Sequence, residues 1–226
     1  MYKNIEILNK KEHKSFSYTP ATDLIYAKDL NLIPITFSEV KSLCCEFPIV
    51  IIMQGNTPQL MILTGVESNG AINENGKWKG KYIPSFLRRY PFTLIQDEAN
   101  ETLHIGFDSE SGLFNSDEGN ALFDSEGAPT DILENMKNFL AAYHEENQIT
   151  ENILKHLKEK GLVDAAEFTI KRENEEKQKV DGFFIINKQK FFKQEDAFLL
   201  EAVKNGWMEI IELHTLSLEN IGKLSK

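Results

Sequence analysis

Cysteine is almost missing from this chain: Cys44 and Cys45 are the whole supply among 226 residues, and they are adjacent. Neighbouring cysteines make no conventional long-range bridge, and there is no third thiol to pair with either. A disulfide-built scaffold is thereby excluded, and a reduced, cytoplasmic setting is expected. Long apolar runs are lacking too. The longest, residues 47–53, is strand-sized, begins Phe-Pro, and falls well short of a bilayer-crossing span. The opening Met1-Tyr2-Lys3-Asn4-Ile5-Glu6-Ile7-Leu8 carries charges where a signal peptide has an unbroken apolar core, so neither a cleaved leader nor membrane insertion is expected. Positive charge is scarce: 25 Lys+Arg face 35 Asp+Glu, for a formal net charge of −10. That balance disfavours unaided binding to nucleic acid or anionic membranes and favours solubility.

Familiar catalytic signatures are absent as well. There is no Gly-x-Ser-x-Gly elbow and no Walker or dinucleotide phosphate loop, so the common hydrolases, kinases and dehydrogenases lose support. The catalytic residues stay unknown. The five histidines, at 13, 104, 144, 156 and 214, form no His-x-His or His-Glu-x-x-His pattern, and neither a zinc site nor a cofactor is expected. His104 and Asp108 would share a face of a regular strand, which Gly106 weakens. Carboxylates cluster in Asp108-Ser109-Glu110-Ser111-Gly112, Asp117-Glu118-Gly119-Asn120 and Asp124-Ser125-Glu126-Gly127. Oxygen ligands on such loops suit calcium, but the EF-hand spacing fails after Gly112, and a solvated acidic loop is the plainer reading. The thiols precede an apolar strand, where burial leaves cysteine inert.

What the chain does hold is a concentrated motif at residues 76–92. It contains one of two tryptophans (Trp78), four further aromatics, and two of only three arginines (Arg88 and Arg89, the third being Arg172). A guanidinium fork suits a carboxylate or phosphate, and Trp78, Tyr82 and Tyr90 can stack on a ligand or shield an ion pair. The competing and commoner use of arginine is an internal pair with an acidic side chain. Adjacent side chains diverge by about 100° on a helix, so one arginine is expected to serve the fold and the other a ligand or partner.

Two regions differ in period. Up to about residue 128, strand-length apolar runs at 33–37, 47–54, 59–66 and 102–107 are separated by turn formers such as Gly55-Asn56-Thr57-Pro58. Asn75-Gly76 predicts a turn into an extended piece at 77–82, and residues 85–89 suit a short helical turn or an edge strand. From about 129 the pattern turns helical. Asp131 and Glu134 resemble a capping box before a helix carrying Ile132, Leu133, Met136, Phe139, Leu140 and Tyr143. A second helix carries Ile149, Ile153, Leu154 and Leu157 and stops at Gly161. Strands follow at 168–170 and 180–187 around a charged turn at 172–179, then a helix at 195–204, a strand at 208–213, and a short helix capped by Ser217. The expectation is a single α+β domain over 1–226, with mainly antiparallel sheet first and mixed helices and strands after it.

The stretch Trp78-Lys79-Gly80-Lys81-Tyr82-Ile83-Pro84-Ser85-Phe86-Leu87-Arg88-Arg89-Tyr90-Pro91-Phe92 resembles the SapC family, named for surface-array (S-layer) proteins. The likeness extends to Glu46-Phe47-Pro48-Ile49-Val50, to residues 122–130, and to the ending from Gly206-Trp207 to Ser217-Leu218. The resemblance implies association with bacterial surface-layer genes and brings no settled reaction, cofactor or catalytic residue. The expected function is a cytoplasmic, non-catalytic accessory or binding protein for surface-layer protein production or export. Its partner would be a polypeptide or a small acidic ligand held near Trp78, Tyr82, Arg88, Arg89 and Tyr90. Two alternatives stand beside it: an enzyme modifying a surface protein or glycan precursor through an arginine-bound anionic substrate, and a structural subunit whose motif packs a homo-oligomer.

Overall fold

The computed structural model describes residues 1–97, 102–115, 119–171 and 177–225. In chain order the strands are β1 (Ile5–Ile7), β2 (Ser17–Tyr18), β3 (Leu32–Pro34), β4 (Ile49–Gln54), β5 (Thr57–Leu63), β6 (Phe92–Asp97), β7 (Thr102–Asp108), β8 (Phe114–Asn115), β9 (Asn120–Ala121), β10 (Val163–Lys171) and β11 (Lys177–Ile186). The helices are α1 (Val40–Leu43), α2 (Ser85–Arg88), α3 (Asp131–Glu159), α4 (Lys188–Phe191), α5 (Asp196–Lys204) and α6 (Trp207–Ser217).

Ile49, Val50 and Ile51 are all buried, because β4 lies at the centre of a sheet ordered β10-β11-β4-β5-β3 and is covered on both faces. β4 turns into β5 through Gly55-Asn56; the left-handed φ of 62° at Gly55 is one that glycine adopts freely. A second sheet runs β1-β7-β6 and a third, of two-residue strands, β8-β2-β9; every pairing is antiparallel. With helices gathered in the C-terminal half, the architecture is α+β. The larger core packs Ile33, Ile35, Leu43, Ile49, Ile51 and Ile62 against Leu154, Leu157, Phe191 and Ile211 from the helices. A smaller core gathers Tyr18, Phe92, Phe107, Leu122 and Phe123 around Leu133 and Leu140.

Several expectations are corrected. The two helices expected after residue 129 are one, α3, 29 residues long. Its N-terminal half packs Leu133 and Leu140 on the smaller core and its C-terminal half packs Leu154 and Leu157 on the larger. The polar stretch between Tyr143 and Ile149 holds no glycine or proline to stop a helix. The break in the apolar pattern marks a gap between cores. Thr130 rather than Asp131 is the N-cap, and its hydroxyl bonds to the Ala121 and Leu122 carbonyls. The strand expected at 208–213 is part of α6, whose buried Ile211, His214 and Ser217 recur every third residue. Ser217 closes that helix, and the short terminal helix expected after it is present as a 3-10 helix, Leu218–Ser225. The Ser217 Oγ donates to the His214 carbonyl at 2.6 Å and accepts from the Ile49 N–H at 3.0 Å. Residues 77–82 form no strand; Trp78 makes only an isolated bridge to Ile72. The strand at residue 33 stops at Pro34, and Phe37–Glu39 is a 3-10 turn. Of the charged turn, residues 172–176, with Arg172, lie outside the described residues.

Candidate functional site

Trp78 anchors the start of the motif. Its ring is half-buried against Phe47, centroid to centroid 5.4 Å. A Cβ at position 80 would stand 2.6 Å from both Trp78 Nε1 and Glu46 Oε2, so only glycine lets the chain pass this close. Beyond it, the Lys81 N–H donates to both oxygens of Glu46, at 3.2 and 3.1 Å. Trp78 is therefore a packing anchor beside the site rather than an open stacking platform.

Glu39, 3 % exposed, is the carboxylate under the motif. Its Oε1 accepts from the Tyr82 hydroxyl at 2.9 Å and the Ser85 N–H at 2.7 Å, while Oε2 accepts from the Thr36 N–H at 2.9 Å. Those bonds satisfy a charge that burial would otherwise penalise heavily. Pro84 opens α2, whose single turn sends Arg88 and Arg89 in different directions. Arg88 is exposed and donates to the Ile83 carbonyl (3.0 Å), the Tyr82 hydroxyl (2.9 Å) and Ser85 Oγ (2.8 Å). Its guanidinium also lies 5.2 Å from the centre of the Phe139 ring on α3. Its connection to Glu39 runs through Tyr82, and it forms no direct ion pair with a carboxylate among the described residues.

Tyr90 points inward. It is 6 % exposed, stacks on Tyr26 with centroids 4.1 Å apart, and donates to Asp108 Oδ2 at 3.0 Å. Asp108 also accepts the N–H groups of Lys3 and Asn4 at 3.1 and 3.0 Å. Burial pushes the Asp108 carboxyl up, but these N–H groups and the Tyr90 hydroxyl outweigh it and hold it below the usual carboxylate range. Tyr90 and Asp108 thus tie β7 to the N-terminal strand region, and Tyr90 is buried where Arg88 is exposed.

Arg89 is the unusual group. Its side chain is half-buried among aromatic rings, with Phe86 at 4.5 Å, Tyr143 at 5.1 Å and Tyr2 at 5.8 Å from the guanidinium carbon. No carboxylate pairs with it among the described residues, and its buried Nε has no hydrogen-bond partner there. Burial raises the Tyr2 and Tyr143 hydroxyl pKa values, Tyr143 to about 12, while the Arg89 charge pulls both the other way. Arg89 and Phe86 form one wall of a cleft of about 220 Å³. The cleft is also lined by Leu140, Tyr143, His144 and Asn147 of α3, by Leu60 of β5 and by Leu94 of β6. The cleft sits where α3 crosses between the two cores.

Of the five residues expected to bind, Arg88 and Tyr82 stay together around Glu39, Arg89 alone lines the cleft, Trp78 packs on Phe47, and Tyr90 joins the core. Sequence reasoning missed Tyr2 and Glu39 as neighbours of the arginines, and neither carries a local signal. Leu140 and Tyr143 were legible as one helix face, and Asn147 continues it at the next turn. The acidic segments make local turns: Asp124 Oδ1 accepts the Glu126 and Ala128 N–H groups at 2.9 and 2.8 Å. Asp117 and Glu118 lie outside the described residues. Among those described, no three His, Cys, Asp or Glu side chains cluster to hold a metal, and no helix is long and apolar enough to cross a membrane. Cys44 is buried and Cys45 exposed, both as free thiols.

No curated protein and no solved structure matches the chain. The SapC family model does, over residues 8–224, so that Tyr82, Glu39, both arginines and the whole α3 wall fall within it, and the chain belongs to the SapC family.

Proposed function

We propose that this protein is a cytoplasmic, non-catalytic accessory or binding protein acting in the production or export of a bacterial surface-layer protein, with an anionic group of its partner received at the arginine motif. The surface-layer context comes from the family's name. The observation that carries the binding role is Arg89, a guanidinium in a cleft with no carboxylate opposite it among the described residues. A buried charge left unpaired is costly, and a ligand that supplies the counter-charge recovers that cost. Arg88, braced on Tyr82 and Ser85, adds a second positive group at the surface. The test is capture from cell lysate on the intact protein, beside Arg89→Ala and Arg88→Ala variants. The surface-layer precursor should be retained by the native chain and lost with Arg89→Ala. Recovery of no surface-layer protein, or fractionation of the chain outside the cytoplasm, overturns the role. One observation favours the enzymatic alternative: His144 stands on the cleft wall beside Tyr143. Turnover of an anionic substrate that disappears in His144→Ala, with binding intact, would replace the first reading by this one.

A further inference from the structure

The cleft constrains the ligand more closely than charge alone. Taking the motif as a binding element, the role proposed for it above, we infer that the Arg89 cleft is a site for a single carboxylate carrying a short apolar group. The volume of about 220 Å³ is on the order of seven waters at roughly 30 Å³ each, which admits the end of a molecule and no folded chain. The recognising group is one guanidinium, whose planar fork matches a carboxylate through two parallel hydrogen bonds. The three ring faces around it attract the cation without using its N–H donors, since a ring offers no lone pair for a strong hydrogen bond. The Tyr2 hydroxyl donates to the Phe92 carbonyl at 2.7 Å, and the buried Nε of Arg89 has no hydrogen-bond partner among the described residues. Tyr143 lines the same cleft and its hydroxyl stays protonated at neutral pH, a second donor for the same anion.

Charge balance decides against phosphate. Leu60 and Leu140 are almost wholly buried, and the half-buried Phe86 and Leu94 are apolar side chains left partly open in the cleft. A dianion facing one guanidinium would keep a charge uncompensated in a partly buried site, whereas a monocarboxylate is neutralised and a short alkyl group lies against Phe86 and Leu94. Gln59, His144 and Asn147 lie among the lining residues as polar groups a longer ligand would meet. The same chemistry has two sources, a free small acid or the C-terminal carboxylate of a polypeptide ending in an apolar residue.

The experiment titrates the purified full chain calorimetrically with hexanoate, inorganic phosphate, hexylamine, and a leucine-ended peptide with a free or an amidated C-terminus. Hexanoate should bind saturably and raise the melting temperature, while phosphate, hexylamine and the amidated peptide should not. Arg89→Lys should weaken hexanoate about tenfold (about 1.4 kcal/mol). Asn147 is exposed, so Asn147→Trp should fold as the native chain does yet close the cleft and abolish binding. This second variant decides the matter if Arg89→Lys fails to fold. Tighter binding of the free-ended peptide than of hexanoate assigns the site to a chain terminus, and the reverse assigns it to a small acid; both uphold the carboxylate. Absence of hexanoate binding, equal binding by phosphate, or full affinity in Asn147→Trp overturns it. Hexanoate binding without capture of a surface-layer protein removes the proposed role and keeps the site. Capture without carboxylate binding does the opposite.

Discussion

At the scale of single residues, the motif shows that neighbours of similar chemistry can do different work. Tyr82 and Tyr90 both donate to a carboxylate, but Tyr82 also accepts from exposed Arg88 while Tyr90 lies in the core. Tyr90→Phe should therefore destabilise the fold by about 1.5 kcal/mol, the loss of a bond to a charged acceptor, whereas Arg88→Ala should cost less than about 1 kcal/mol. Urea unfolding of the two variants measures the difference; equal costs would contradict the assignment. The sequence made the arginines and aromatics conspicuous without distinguishing these roles. Direction depends on partners far along the chain: Asp108 for Tyr90, Glu39 for Tyr82, and Tyr2 with Tyr143 for Arg89. Composition and spacing carry no information about such long-range encounters, which is why the site was only partly legible.

At the scale of elements, the apolar pattern succeeded where burial is continuous along the element. The hairpin β4–β5 and the strand β7 stand close to where their apolar runs place them. β4–β5 is covered on both faces, with Ile49, Ile51, Leu60 and Ile62 in the larger core and Val50, Met61 and Leu63 in a separate cluster on the other side. β7 packs on the smaller core. Pattern reading failed at α3 because that helix serves two cores and crosses polar space between them. It failed at α6 because Met208-Glu209-Ile210-Ile211-Glu212-Leu213 is short enough to fit either a strand or a helix. The helical continuity of α3 is a mechanical link, and this can be tested at Glu145, an exposed position in the crossing. Glu145→Pro should cost at least about 3 kcal/mol. It should also split one cooperative melting transition into two, so that the calorimetric enthalpy exceeds the van't Hoff value. A single unchanged transition would show that the cores are coupled by other contacts.

At the scale of the whole molecule, acid stability has two stages set by two buried groups. His214 is 1 % exposed, its ring nitrogens have no partner among the described residues, and burial lowers its pKa to about 4. The unfolded chain binds that proton from about pH 6.5 downward. Stability is thus complete above that value and lost as pH falls toward 4, by roughly 3 kcal/mol. Asp108, with its pKa depressed, adds a further loss as pH falls below the ordinary carboxylate range. His214→Leu should flatten the first stage, leave the second, and cost little at neutral pH, because it removes two unpaired polar atoms. Thermal melts from about pH 7 to about pH 2 check both stages; an unchanged slope between about pH 7 and 4 would refute the role of His214. The two tryptophans give the molecule an optical property of its own. Trp78 and Trp207 both pack against the larger core, and none of the residues gathered in the smaller core is a tryptophan. Indole emission is therefore a local gauge of one compartment, dark to events in the other, and loosening around Phe92 and Phe107 would pass unseen until α3 carried the disturbance across.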